Sequence, residues 1–417
     1  MERATRPLRR RGARAPAKGV LAPRSPIPPP LRLGPNLYLA HTMPGLEGVA
    51  AEEIAARYAL ATSHGGRADA PHTDNTARDS PRAFTVREIG RRSVPDRAGI
   101  TIFTAPRPEP LGRLRTVEDI FAVVGYRDGL GGKPLTLERI LAAARDAPYI
   151  AQGLAARSRL MPGVRAGHRL RYRVIARMAG EQEFRRIDLQ RAVERGLGER
   201  GDHAWRLVED SADVEFWATM LGDEFILALR LSDERMRQRD YKIAHLAGSL
   251  RPSVAAALGW LSRPAVDDIV LDPLCGAGTV LIERAHLERY QLLIGSDRDS
   301  AALEAARENT GPRYKPLELH PWDATALPLA DGSVTKIVSN LPWGNRHGSH
   351  HENRRAYPRM LAEFQRLVRP GGRIVILTGE TRLMSELIRR GAFRPEKILY
   401  VSILGAPAAV YAWTVAA

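Results

Sequence analysis

The stretch Val270-Leu-Asp-Pro-Leu-Cys-Gly-Ala-Gly-Thr279 joins an apolar run to a helix-forming one and puts Gly276 and Gly278 where a strand meets its helix. Glycines there let a ligand approach the backbone N–H groups of a helix N-terminus. Leu281 stands where the third glycine of the dinucleotide pattern would be, and no Lys-Ser/Thr follows for a P-loop, so neither NAD nor a nucleoside triphosphate is the natural ligand. Gly295-Ser296-Asp297 ends a second strand, with Asp299 close behind, and an acid there suits two ribose hydroxyls. Asp323, followed by Ala324, ends a third strand and could accept a hydrogen bond from an adenine amino group. Each acid alone would ordinarily be a helix N-cap. Together, along the sheet edge where ligands sit, they describe an adenosine-containing cofactor. With the run from Asp272 to Thr279 in front of them, the expected cofactor is S-adenosylmethionine. Cys275, inside that turn, is expected to pack there and not to act as a nucleophile.

A fourth strand ends in Ser339-Asn340-Leu341-Pro342-Trp343-Gly344. This resembles the Asn/Asp-Pro-Pro-aromatic motif of methyltransferases that modify exocyclic amino groups of bases, with Leu341 in the second position. The chemistry explains the pattern, because such an amine is a poor nucleophile while its lone pair is delocalised into the ring. The Asn340 side-chain oxygen and the Leu341 backbone carbonyl can accept its two N–H bonds and favour a pyramidal nitrogen. The Leu341 side chain would then be free to vary. Pro342 fixes the backbone, and Trp343 offers a stacking surface for a base taken out of its stack. A plain strand-to-loop turn around a buried Trp would use the same residue types. Beyond it, Arg346, His347, His350, His351, Arg354 and Arg355 read as a mobile cationic loop on the substrate side; no carboxylate spacing supports a metal site.

Residues 241–417 must hold these groups, and they alternate apolar runs with amphipathic stretches. Strands are expected at 269–271, 292–296, 317–320, 335–339 and 373–377, with a last pair around 398–404 and 409–414. Such alternation implies a parallel, doubly wound sheet. Only Gly405-Ala-Pro-Ala408 separates the last two strands, too little for a crossover, so they pair antiparallel. That arrangement matches the class I methyltransferase sheet better than the dinucleotide-binding one.

Ahead of this lie two smaller units. A strand at 37–40, a helix running to about residue 58, a Ser/Thr/Asp/Gly-rich insertion at 61–84, a strand at 100–103, a helix and strand edge over 116–124 and a helix at 135–144 make an α+β unit. From about residue 155 to 240 the pattern gives a strand over 168–176, a helix over 184–197, and a hairpin of 214–218 with 225–231 turning at Leu221-Gly222-Asp223. The 168–176 strand buries Leu170, Tyr172 and Val174 and turns Arg169, Arg171 and Arg173 outward. Ten arginines and three acids lie between Arg157 and Arg191. A strand face of that density could bind phosphates or be the solvated side.

At 417 residues the chain is too long for one core, and two to three domains are expected. Apolar residues are 44% and charged residues 26%, a globular composition. The apolar runs are too short to span a bilayer. A single cysteine excludes a disulfide scaffold or Cys-based zinc site and fits a reducing compartment, so a cytoplasmic protein is expected. Lys and Arg number 63 against 47 acids, a net +16 that suggests a polyanionic partner, although Arg-rich, Ala-rich usage also follows from a GC-rich genome. Half the excess sits in residues 1–32, with nine basic residues, one acid and seven prolines. That tail is expected to be disordered and not a secretory signal. It is a solvated extension in the simplest reading, an RNA arm or organellar address in the others.

From about residue 36 to the C-terminus the chain resembles the THUMP-domain RNA methyltransferases, in the branch that makes N2-methylguanosine in tRNA. The resemblance lies in Pro44-Gly45-Leu46-Glu47, Leu114-Arg-Thr-Val-Glu-Asp119, Asp213-Val-Glu-Phe-Trp217, Gly222-Asp223, Arg239-Asp240-Tyr241, Gly248-Ser-Leu-Arg251-Pro252-Ser-Val-Ala-Ala-Ala-Leu258, Asp272 to Thr279 and Asn340 to Gly344. It implies an α/β protein: a disordered tail at 1–32, a ferredoxin-like domain at 33–150, a THUMP domain at 151–240 and a Rossmann-like class I methyltransferase domain at 241–417. It also implies that the helix begun by Arg251 and Pro252 lies against the cofactor's methionine end. The implied partner is tRNA, gripped by the N-terminal domains and methylated at a guanine N2 in or near the acceptor stem, position 6 being usual. A monomer without metal or membrane is expected. Guanine N2 in ribosomal RNA, adenine N6 in nucleic acid, and a non-catalytic RNA-binding protein are the alternatives.

Overall fold

The computed structural model describes residues 30–63, 85–131, 135–162, 169–201, 204–344 and 349–416. The tail up to residue 29, most of the expected insertion, Arg346 and His347 lie outside the described residues. In the N-terminal half, β1 (Leu37–Thr42), β2 (Arg87–Val94), β3 (Ala98–Thr104), β4 (Asp119–Arg127), β5 (Arg171–Ala179), β6 (Arg206–Leu207), β7 (Val214–Leu221) and β8 (Glu224–Arg230) form one sheet. Its order is β2-β3-β1-β4-β8-β7-β5-β6. The antiparallel pairing of β4 with β8, which sets Ala122 opposite Leu229, carries the sheet without a break across the two expected N-terminal units.

Helices α1 (Glu47–Ser63), α2 (Leu135–Arg145), α3 (Ile150–Leu160) and α4 (Arg186–Gly198) pack on one face through Ile54, Ile140, Ile150 and Val193. The other face gathers Leu39, Ile102, Phe121 and Trp217, joined by Leu31 from the segment before β1 but by no described helix. Some elements of this half differ from expectation. Residues 116–124 hold no helix: β4 is a central strand, buried along nearly its whole length, and its Ile, Phe and Val residues suit that place. Strand β2 escaped notice because an edge strand can be polar, and Arg-Glu-Ile-Gly-Arg-Arg-Ser-Val has almost no apolar face. Helix α3 is also absent from the expected elements, since its Ala- and Arg-rich sequence buries only Ile150, Gly153 and Ala156.

The C-terminal half contains α5 (Pro252–Leu261), β9 (Ile269–Asp272), α6 (Thr279–Ala285), β10 (Leu292–Ser296), α7 (Ser300–Thr310), β11 (Leu317–His320), β12 (Val334–Asn340), α8 (His350–Leu367), β13 (Val368–Thr378), α9 (Thr381–Arg389), β14 (Lys397–Ile403) and β15 (Ala406–Thr414). The sheet order is β11-β10-β9-β12-β13-β15-β14. Strands β9 to β13 run parallel, while β15 is antiparallel to β13 and to β14, so the expected terminal hairpin is present. This is the class I methyltransferase sheet. No helix among the described residues is long and apolar enough to cross a membrane.

Several contacts fasten the halves together, two of them at the turn before α1 and at α6. At the turn before α1, Gly45 has φ +95° and lies so close to β14 that a Cβ there would meet the Tyr400 carbonyl oxygen at 2.1 Å. The Ser402 N–H donates to the Pro44 carbonyl at 3.0 Å, and Met43, Leu46 and Val49 join the core formed by Leu258, Val401 and Val410. The second contact centres on Glu283 of α6, which is fully buried. It accepts two hydrogen bonds from the Arg115 guanidinium at 2.6 and 3.0 Å and one from the Tyr241 hydroxyl at 2.8 Å. Arg239 lies 3.4 Å away. Burial opposes the charge on Arg115, but the hydrogen bonds and charge of Glu283 outweigh it and raise the pKa. Glu53 of α1, also buried, holds the Arg115 loop in place by accepting from the backbone of Arg115 and Thr116.

Removing the carboxylate leaves Arg115 and Arg239 enclosed without a counter-charge. Glu283→Ala is therefore expected to lower the unfolding free energy by about 3–5 kcal/mol. Urea titration of the two full-length proteins measures it; a loss below about 1 kcal/mol would mean that the cluster contributes only as an exposed pair does.

Candidate functional site

The parallel strands place their C-terminal ends along one edge, and there the sequence-identified acids meet. Gly295 of β10 lies beside Asp272 of β9, and Ser296 beside His320 of β11. Gly276 and Gly278 adopt φ of +51° and +76°, which lets the chain fold back after Cys275. The Cys275 N–H donates to the Ser296 carbonyl at 2.9 Å, and the Gly276 N–H donates to Asp297 Oδ2 at 3.0 Å. Asp297 Oδ1 accepts from the Asp299 N–H at 3.0 Å, so the carboxylate ties the glycine turn to the end of β10 while remaining half-exposed. No atom lies within 4 Å of where a Gly276 Cβ would stand, so the space beside the turn is open.

The remaining cofactor-side residues fall into separate roles. Asp299 caps α7 by accepting from the Ala301 N–H at 2.9 Å. Asp323 is exposed and accepts from the Thr325 N–H and hydroxyl, each at 2.8 Å, which lowers its pKa and keeps it ionised. Beside it the rings of His320 and Trp322 stack flat at 4.0 Å, and Ala324 is buried. Thr279 begins α6 and is buried; burial pushes the Cys275 thiol up, which suits a packing residue. Pro252 opens α5 and is buried. Arg251 pairs across the halves with Glu118 at 3.0 Å. Asn309 of α7 was not anticipated: its amide donates to the Ala277 carbonyl at 2.9 Å while its oxygen accepts from the N–H groups of Ile243 and Ala244, clamping the glycine turn to the chain that enters from the N-terminal half.

Strand β12 delivers Asn340 to the same edge. The Trp343 indole N–H donates to Asn340 Oδ1 at 3.0 Å. That bond fixes which way the amide faces and leaves the second lone pair of the oxygen to the site. The Trp343 ring lies against Gly379, where a Cβ would come within 2.9 Å of it. The Leu341 side chain is not free to vary, as the motif had suggested: it is fully buried among Leu271, Ile337 and Leu361, anchoring the loop in the core. The Pro342 carbonyl accepts from Asn353 Nδ2 at 3.0 Å and from the Tyr357 hydroxyl. Asn353 in turn donates to Glu380 at 2.9 Å, and Glu380 meets His350 Nδ1 at 2.6 Å. Asn353, Tyr357 and Glu380 thus brace the loop from α8 and the end of β13. Their signal was the spacing of Asn353 and Tyr357 on one face of α8, overshadowed by the charges around them.

The arginines expected on the nucleic-acid side divide differently. Arg171 pairs with Asp213 at 3.0 Å, and Arg173 pairs with Glu215 of β7. Both are held by acids from the strand next to them. Arg169 and Arg355 are exposed, and Arg354 pairs with Glu386 at 3.2 Å. Among the described residues no three His, Cys, Asp or Glu side chains converge to hold a metal ion.

Comparison with known proteins agrees with this fold. Residues 239–406 match the model of the UPF0020 family, an RMKL-like methyltransferase domain. The chain is 31% identical over 224 residues to the Mus musculus tRNA (guanine(6)-N(2))-methyltransferase THUMP3, a match that takes in 50% of this chain and 44% of that protein. The chain spans about half the length of the first such curated relatives, 44–51%. The fold is that of TrmN from Thermus thermophilus, with TM-score 0.66 and 23% identity over 91% of this chain and 99% of that one. It is also that of SMU.472, a putative methyltransferase complexed with SAH, with TM-score 0.61 and 15% identity over 91% and 97%.

Asp272 supplies a test of how tightly the edge is closed. Its carboxylate is buried, which raises its pKa from 3.8 to about 7, against the Ser339 hydroxyl bond at 2.7 Å and the Leu274 N–H. A folded-state pKa above the unfolded one means that the native state binds the extra proton between those values. Stability from this group therefore falls as pH rises from about 4 to 7 and is level above. In Asp272→Asn this contribution disappears. The stability difference, wild type minus variant, should decrease from pH 4.5 to pH 7.5 in urea titrations; a difference independent of pH would show that the carboxylate is solvated.

Proposed function

We propose that the chain transfers a methyl group from S-adenosylmethionine to the exocyclic N2 of a guanosine in tRNA, at position 6 of the acceptor stem. One observation carries this reading. Asn340 Oδ1, oriented by Trp343, stands at the end of β12 on the edge that also carries the glycine turn, Asp297 and Asp323. The open space beside Gly276 and the carboxylates of Asp297 and Asp323 fit an adenosine. The turn from Asp272 to Gly278 would hold the methionine end, Asp297 the ribose hydroxyls and Asp323 the adenine amino group. When bound, the cofactor supplies an electrophilic methyl group.

The chain's own residues prepare the amine. Asn340 Oδ1 and the Leu341 carbonyl accept the two N–H bonds of the guanine amino group, drawing its lone pair out of conjugation. Their placement needs the loop to stay rigid, and the buried Leu341 side chain with the Asn353, Tyr357 and Glu380 brace supplies that rigidity. Trp343, half-exposed, backs the amide and offers its free ring surface to the base. Sequence similarity to proteins named tRNA (guanine(6)-N(2))-methyltransferase from Mus musculus and other organisms supports the choice of guanine N2 and of tRNA.

The experiment is methyl transfer from labelled S-adenosylmethionine to unmodified tRNA transcripts, followed by nucleoside mass spectrometry. N2-methylguanosine at position 6 is the expected product. N6-methyladenosine would keep the amine chemistry and refute the base, and label only in ribosomal RNA would refute the substrate. Cofactor binding without transfer to any RNA would leave an RNA-binding protein. Asn340→Ala is expected to lower turnover by about 100- to 1,000-fold, the scale of a lost transition-state hydrogen bond. Cofactor affinity should stay near the wild-type value, and unchanged turnover would remove Asn340 from the mechanism.

A further inference from the structure

Most arginines on the helix-free face of the N-terminal sheet are already matched. Arg92 pairs with Glu224, Arg171 with Asp213, Arg173 with Glu215, Arg230 with Asp119 and Glu215, and Arg237 with Asp119. Arg177 of β5 is different. Among the described residues it has no carboxylate within ion-pairing distance, although it is half-buried. Its guanidinium lies over the Trp217 ring of β7, 4.3 Å from the centroid. Trp217 itself is buried, packed on Phe121 and His41, and its N–H is held by Glu215, so the platform is fixed.

The surroundings are positive. Burial lowers the Arg177 pKa, and so do neighbouring Arg237 and Arg97, against Asp119 and Glu118. Those two acids are committed elsewhere, Asp119 to Arg230 and Arg237, and Glu118 to Arg251. Arg97, in the turn between β2 and β3, is exposed. Buried His41 is held neutral by its burial and by Arg177, Arg237 and Arg230. A half-buried guanidinium among cations is costly while it lacks an anion, and it gains when one arrives. With its charge seated over the face of the Trp217 ring and no carboxylate paired to it among the described residues, the guanidinium retains N–H donors of the kind that grip a phosphate.

We propose that Arg177, seated on Trp217, is a docking point for a backbone phosphate of the RNA substrate. It rests on the reading of the chain as an RNA methyltransferase and adds where the N-terminal half holds the RNA. The location suits such a role, because Glu118, within electrostatic reach of Arg177, is the partner of Arg251 at the start of α5, and the cluster therefore borders the seam with the catalytic half. The arginine stripe of β5 contributes through this one unmatched member, while Arg171 and Arg173 are structural.

The test compares full-length wild type with Arg177→Gln and Arg177→Lys, measuring tRNA-transcript affinity over a salt series, cofactor affinity and steady-state kinetics. Arg177→Gln should weaken tRNA binding about 10-fold, the scale of one charged hydrogen-bonded contact. The slope of log K against log salt should shrink by about 0.7–0.9, one phosphate contact. KM for tRNA should rise with kcat and cofactor affinity unchanged, and Arg177→Lys should retain the slope. A wild-type slope and affinity in Arg177→Gln would overturn the docking role and leave the methyltransferase reading standing. So would a parallel loss of cofactor affinity, which would mark a structural residue. A wild-type protein that binds no RNA would overturn both.

Discussion

A single buried carboxylate organises the relation between the two halves. Glu283 lies on α6, the helix that begins at the glycine turn, and receives its partners from outside that helix: Arg115 from the loop before β4, with Arg239 and Tyr241 from the connection between the halves. An enclosed charge is tolerated only when nearly every lone pair is used, and this requirement propagates. Arg115 can reach Glu283 only because Glu53 holds its backbone, and Glu53 is in place only because α1 is packed on the first sheet. The helix that positions the candidate cofactor turn is therefore held by residues that the sheet of the N-terminal half supports.

The same logic operates at the loop after β12 on a smaller scale. Leu341 fills the core, the Pro342 carbonyl is bonded to two side chains of α8, and Trp343 lies on Gly379 while aligning Asn340. Each residue of the motif has a mechanical role besides the chemical one assigned to Asn340. This explains why Leu is acceptable in the second position here: the backbone carbonyl serves the site, and the side chain serves the packing.

Much of this was readable in the amino-acid sequence because it is written locally. The catalytic sheet follows from alternating apolar runs, and the terminal antiparallel pair follows from a four-residue connection. The acids at strand ends announce themselves by position. What stayed hidden depends on contacts between residues far apart in the chain. Nothing near Arg171 or Arg173 shows that Asp213 and Glu215 sit beside them, since a parallel neighbour is supplied from about forty residues away. Glu380 and Asn353 meet only when β13 and α8 are in place. The polar strand β2 and the Ala-rich helix α3 lack the periodicity by which elements are recognised.

The turn at Pro44 and Gly45 has one more consequence. It presses the first turn of the N-terminal half against the backbone of β14 so closely that no side chain fits between them, while Arg115 ties α6 of the C-terminal half to the loop before β4. Fastened at several points, the Arg251–Glu118 pair among them, the halves have little freedom to hinge. Whatever grips the outer sheet is thereby set at a constant offset from Asn340. On the proposed reading the protein would have the build of a caliper, in which the choice of target nucleotide is a matter of length along the bound chain as well as of the base that arrives.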